Sequence, residues 1–127
     1  MRTSLALPLM AIASVALAQD LRLELDTPAS LNAGDRTSLE LRVWADPGMP
    51  VMVTPHAEGA AVEVVRGRLL CPDAEDPEAR PLVFRIPIVA REPGPARVRA
   101  AVQTFRCEGD DCEPVRGEAQ AELRVAR

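Results

Sequence analysis

Two cysteines near the C-terminus constrain this chain more than any other feature. If Cys107 sits opposite Cys112 across an antiparallel hairpin, every opposition along residues 97–125 is fixed. Val98, Ala100, Val102 and Thr104 then face Ala121, Ala119, Gly117 and Val115, and Leu123 and Val125 continue the same apolar side, as a half-buried strand pair requires. The other side sets Arg97 against Glu122, Arg99 against Gln120, Gln103 against Arg116 and Phe105 against Pro114. Directly opposed opposite charges are favourable there. A slip of one residue would turn both patterns inside out, so the register is well specified.

The two sulfurs fall on the solvent side of this hairpin, beside Phe105 and Pro114. Directly opposed strand residues lie within the reach of a disulfide. Such a bond closes a loop of only about six residues, so its entropic contribution is modest. Pinning of the acidic tip, or exchange chemistry, then becomes a reason for having it. The third cysteine, Cys71, is left over as a half-buried thiol at a strand end, able to pair with a hairpin cysteine or with another chain.

At the other end, Arg2 precedes an apolar run over residues 5–17 and the small-residue stretch Ala16-Leu17-Ala18. This reads as a secretory signal peptide over residues 1–18, cleaved after Ala18, with an apolar strand or anchor as the alternative. Residues 19–127 then form one exported domain, periplasmic or extracellular, with no stable membrane span after cleavage. Export favours a disulfide over a thiol metal site. The 127 residues carry a formal charge of −4, and all of the basic residues are arginine. An acidic balance argues against nucleic acid or an anionic membrane as partner.

Between these ends the chain alternates. Leu21, Leu23 and Leu25 mark a first strand, Asn32-Ala33-Gly34-Asp35 a turn, and residues 37–44 a second strand with Leu39, Leu41 and Val43 on one face. Residues 46–50 read as a loop, 51–53 as a short strand and 54–59 as a second loop. Residues 60–70 read as a strand bulged near Gly67. Residues 71–81, acidic and proline-rich, form a long surface loop. Leu82, Phe84, Ile86 and Ile88 alternate in a further strand, which Pro87 places at an edge or a bulge. No stretch keeps a helical period. The fold expected is all-β, an antiparallel two-sheet sandwich of immunoglobulin-like architecture, with a small barrel as the alternative. Its core is drawn from Leu, Val, Ile and Ala, with Trp44, Phe84 and Phe105 as the only large rings.

The run Val102-Gln103-Thr104-Phe105-Arg106-Cys107-Glu108-Gly109-Asp110-Asp111-Cys112-Glu113-Pro114 resembles the cysteine hairpin of the N-terminal periplasmic domain of DsbD-type thiol:disulfide interchange proteins. Phe84-Arg85-Ile86-Pro87-Ile88 and Pro93-Gly94 resemble the strand and turn that lead into it. The resemblance covers the last third of the chain. It implies an immunoglobulin-like sandwich in which Cys107 and Cys112 cycle between dithiol and disulfide. The partner it implies is an exported protein, thioredoxin-like or a membrane electron donor. The chain departs from the pattern in two ways. Glu108, Asp110, Asp111 and Glu113 surround the sulfurs with negative charge, offset only by Arg106 and Arg116, which disfavours a thiolate. The aromatic that shields the pair in that family has no counterpart, and Met49 or Met52 stands in its place.

Other chemistries find less support. Met49, Met52 and His56 are ligand types suited to Cu(I), but a proline-broken stretch does not fix them on one side. Zinc lacks a fourth ligand beyond His56 and carboxylates. The acidic tip Glu108, Asp110, Asp111 and Glu113 lacks the ligand spacing of a calcium loop. His56 is the single histidine, with no Ser or carboxylate placed beside it by a local pattern. No glycine-rich phosphate loop is present, and nothing calls for a bound cofactor. Three readings follow: thiol:disulfide exchange through Cys107 and Cys112, a non-enzymatic binding or assembly module with a structural disulfide, and copper handling.

Overall fold

In a computed structural model, residues 21–28 and 30–127 are described. The expected signal peptide, residues 1–18, lies outside them. The described residues form nine strands: β1 (Arg22–Asp26), β2 (Leu31–Asn32), β3 (Arg36–Trp44), β4 (Met52–Glu58), β5 (Val62–Val64), β6 (Leu69–Leu70), β7 (Leu82–Ala90), β8 (Gly94–Glu108) and β9 (Asp111–Ala126). They make two layers, one ordered β1-β3-β7-β5 and the other β2-β9-β8-β4-β6. This is the expected immunoglobulin-like sandwich. One pairing departs from the antiparallel rule: β2 runs parallel to β9, Leu31 beside Val125 and Asn32 beside Ala126.

The inward faces follow from alternation. Leu39, Leu41 and Val43 of β3 and Leu82, Phe84, Ile86 and Ile88 of β7 meet Val53 of β4, Val98, Ala100 and Val102 of β8, and Val115, Leu123 and Val125 of β9. Each fully buried large aliphatic or aromatic side chain contributes about 1.5–3 kcal/mol of transfer free energy. Of the three large rings only Phe84 is in this core, fully buried. Trp44 lies directly across the β1–β3 ladder from Arg22, whose guanidinium carbon sits 3.9 Å from the ring centroid, a cation–π contact. Phe105 is only half-buried.

Three expectations need correction. Residues 54–59 are not a loop: β4 continues through Pro55 and His56 to Glu58, opposite residues 97–103 of β8. Residues 60–70 are not one bulged strand: β5 pairs with β7 in one sheet, whereas β6 pairs with β4 in the other. The Val65–Arg68 stretch carries the chain between layers, because β5 and β6 each find their neighbour in a different sheet. Pro87 is not simply at an edge. Over residues 88–89, β7 is central between β3 and β5; β5 pairs no further than Ile88, so the paired neighbour of Pro87 is Ser38 of β3, and on the other side its carbonyl accepts from the Val65 N–H at 3.0 Å.

Candidate functional site

The hairpin register is the expected one along its whole length, from Gly94 opposite Val125 to Glu108 opposite Asp111, with Cys107 facing Cys112. Alternate pairs of an antiparallel ladder exchange hydrogen bonds, and the pairs between them, which do not, bring their Cα atoms closest. Cys107 and Cys112, joined by a disulfide with Cα atoms 4.0 Å apart, belong to this second class. So, by alternation, do Phe105 with Pro114 and Pro95 with Arg124. Both prolines therefore occupy positions where the β8–β9 ladder requires no N–H. Ala100 falls in the other class and spends its backbone groups on Ala119, so Pro55, across β4 from Ala100, also has no ladder bond to give.

The hairpin is longer than the sheet that supports it. The ladder between β4 and β8 ends with Met52 opposite Gln103, and beyond it the hairpin continues as two strands with no third strand paired to them among the described residues. Thr104 and Val115, buried at 2% and 5% exposure, are the last residues anchored in the core. The Thr104 hydroxyl donates to the Pro50 carbonyl at 2.8 Å, tying the base of the finger to the β3–β4 loop. Beyond it, Arg106, Glu108, Gly109, Asp110, Asp111, Cys112, Glu113 and Pro114 are exposed. Gly109, at φ 63°, makes the tip turn in a conformation that favours glycine. The disulfide crosslinks this finger just below its tip.

Cys112 is exposed and Cys107 half-buried, and the difference has a local cause. The β3–β4 loop, closed by a bond from the Met49 N–H to the Asp46 carbonyl at 3.3 Å, places the Met49 sulfur 3.6 Å from the Cys107 Sγ. Met49, not Met52, is thus the residue against the disulfide. The same loop and the 71–81 loop enclose a cleft of about 340 Å³ lined by Met49, Pro50, Cys71, Pro77 and Arg80, among others. Arg80 stitches the two loops together, its guanidinium donating to the carbonyls of Ala45 at 3.1 Å, Asp46 at 3.4 Å and Pro77 at 3.1 Å. Cys71 is a free, half-buried thiol at the start of a single 3-10 turn, Cys71–Asp73, directly after β6. Its position at a strand end is the expected one.

The three copper candidates are not brought together. Met49 is on the disulfide, Met52 borders a groove on the outer face of the β4–β8–β9 sheet with Thr54, Gln103 and Arg116, and His56 borders a third hollow with Val62 and Val64. Met52 and His56 lie four positions apart on one strand, about 13 Å along it. Among the described residues, no group of three or more His, Cys, Asp or Glu side chains is placed to hold a metal ion. No helix among them is long and apolar enough to cross a membrane.

Charge on the opposite sheet is organised around Arg42. It bonds Asp26 at 2.6 Å, Glu24 at 3.3 Å and also Glu40, with Arg85 linking Glu40 to Glu75. The hydrogen bond to Asp26, more than any other partner, holds the Arg42 guanidinium above its ordinary pKa. This network covers the outside of the sandwich, away from the sulfurs.

No protein-family model matches the chain, and no curated protein does. Among solved structures it is similar to trypsin-activated alpha-2-macroglobulin from Escherichia coli, with a TM-score of 0.57 and 20% identity over 86% of this chain. It is similar also to native alpha-2-macroglobulin from Escherichia coli spanning domain MG7 to the C-terminus, with a TM-score of 0.54 and 20% identity over 86% of this chain. The matched regions are 7% and 17% of those two chains. The likeness is one of fold: a sandwich of this kind matches a small part of each of those chains.

Proposed function

We propose that this protein is an exported, non-enzymatic binding or assembly module whose projecting β8–β9 finger is held in shape by a structural disulfide. The observation that carries the reading is the length of the hairpin beyond its support. Among the described residues, 104–113 have no third strand, and an isolated two-stranded ribbon is marginal in water. A covalent tie across its end supplies the order that packing does not. Glu108, Asp110, Asp111 and Glu113 flank the two cysteines along the chain, a negative setting that disfavours a thiolate, as suits a bond that is made once and kept. The fold's occurrence as a small part of long chains in the two solved structures supports a modular role.

A second reading, thiol:disulfide exchange through Cys107 and Cys112 with a thioredoxin-like protein or a membrane electron donor, is favoured by one observation. Cys112 is exposed while Met49 leans on Cys107, so one sulfur is open to attack and the other is partly covered. The reduction potential separates the two readings, measured by thiol trapping in redox buffers with Cys71→Ser as background. A potential below about −300 mV supports the structural bond, and one between about −120 and −270 mV supports exchange.

A further inference from the structure

We propose that the hairpin, with its disulfide open, holds a soft monovalent cation of the Cu(I) type between the Cys107 and Cys112 thiolates and the Met49 thioether. Of the three copper candidates named from the sequence, only Met49 takes part. The inference rests on neither functional reading above. Exchange opens the bond in every cycle, and a structural bond is preceded by the dithiol hairpin from which it forms.

Three sulfurs meet at one place. Cys107 and Cys112 are a non-bonded pair of the β8–β9 ladder, so both side chains leave the same face of the hairpin, from Cα atoms 4.0 Å apart. The β3–β4 loop brings Met49 to them, its sulfur 3.6 Å from the Cys107 Sγ. Two sulfurs that share one metal ion at trigonal angles, with bonds of about 2.3 Å, stand about 4 Å apart. The contact between Met49 and Cys107 is therefore already near the spacing that a shared ion needs. Only the two cysteine sulfurs have to part, by side-chain rotation. The loop is held independently of the disulfide, its Pro50 carbonyl accepting from the Thr104 hydroxyl and its Asp46 carbonyl from Arg80. An ion shared by the two thiolates also ties the end of the ribbon in the register that the disulfide imposes.

The donor set selects the ion. Thiolate and thioether are soft ligands that suit Cu(I). A closed zinc site takes four ligands, and among the described residues no His, Asp or Glu joins the two cysteines to make even a group of three. Glu108, Asp110, Asp111 and Glu113, which flank the cysteines along the chain, raise the local concentration of cations. Cys112 is exposed and Cys107 half-buried, so an ion can reach the sulfurs from solvent. Loading takes two steps. An external dithiol opens the bond, leaving two protein thiols and departing as its own disulfide. One Cu(I) then displaces both thiol protons to solvent and binds the two thiolates and the thioether, with no change in its oxidation state.

The test uses the purified protein carrying Cys71→Ser, reduced with dithiothreitol, freed of it without oxygen and titrated with Cu(I) against a chromogenic Cu(I) chelator. The reduced form should take one ion per chain and the disulfide-bonded form none. X-ray absorption at the copper edge should count three sulfur neighbours at about 2.3 Å. Met49→Leu, which keeps the side-chain volume, should lower the affinity about tenfold and the sulfur count to two. Cys112→Ser should abolish tight binding. No Cu(I) held by the reduced protein, equal uptake by the reduced and disulfide-bonded forms, or an affinity and sulfur count indifferent to Met49→Leu overturns the proposal. The sulfur count of the protein with Met49 in place reads the site even if a variant folds poorly, and two sulfurs there also overturn it.

Discussion

Replacing both hairpin cysteines, Cys107→Ser with Cys112→Ser, tests whether the disulfide holds the finger or the sandwich. The bond joins residues separated by 5 positions. In the chain-entropy account, closing a loop of about six residues restrains the unfolded chain by about 2.2 kcal/mol, which is the most that removing the bond can cost without native-state strain. The folded protein offsets part of this. Residues 104–113 lie beyond the last β4 pairing, at Gln103, so once untied the end of the ribbon frays and regains freedom in the native state as well. The net destabilisation expected is about 0.5–1.5 kcal/mol, or roughly 3–8 °C in Tm for a domain of this size.

Urea unfolding followed by Trp44, the single tryptophan, measures the global term, and amide hydrogen exchange locates the loss. Amides of Arg106, Glu108 and Glu113, in the bonded pairs of the finger, should lose protection, while those of Val98, Ala100 and Val102, flanked by strands on both sides, should keep theirs. A loss above about 3 kcal/mol, outside the chain-entropy bound, or loss of protection throughout β8, would show that the bond supports the core and would refute the reasoning. Unchanged exchange at the tip would refute it from the other side, since the ribbon would then hold itself.

The remaining expectations are smaller tests of the same structure. Phe84→Ala, at a fully buried position on β7, should cost about 3–5 kcal/mol by denaturant unfolding, whereas Phe105→Ala, half-buried on the finger, should cost under about 1.5 kcal/mol. Thr104→Val removes the donor to the Pro50 carbonyl and should cost about 1–2 kcal/mol by denaturant unfolding. It also releases the loop that carries Met49, so the disulfide should be reduced faster. Met49→Ala should speed reduction of the disulfide by dithiothreitol several-fold with little change in Tm, because it uncovers Cys107 without opening the core.

The hairpin register was legible because two independent signals agreed over many residues. One cysteine pair set the opposition, and strict alternation of apolar and polar residues confirmed it, so no neighbouring register could satisfy both. Leu39, Leu41 and Val43, and Leu82, Phe84, Ile86 and Ile88, were legible for the same reason of period. The contact between Met49 and Cys107 was not, since residues so far apart in sequence are joined only by how the β3–β4 loop closes over the hairpin. β2 and β6 have two residues each, too few to display any period, and the transfer of the chain between sheets at Val65–Arg68 is set by which neighbours β5 and β6 find.

The misreading of β4 has a more instructive cause. The expected loop over residues 54–59 contains Pro55, which donates no ladder bond, yet an edge strand has bonds to spare on its open side. Along residues 54–58, β4 is paired only to β8, since β6 reaches no further than Val53. The position of Pro55 opposite Ala100 is one where β4 has no bond to make. Pro95 and Pro114 obey the same parity, which the Cys107–Cys112 opposition alone determines. Three prolines at non-bonding positions are therefore evidence for the strands that contain them. Read with the cysteine register already in hand, that parity would have recovered β4 from the sequence and, with it, the point where the supporting sheet stops and the finger begins.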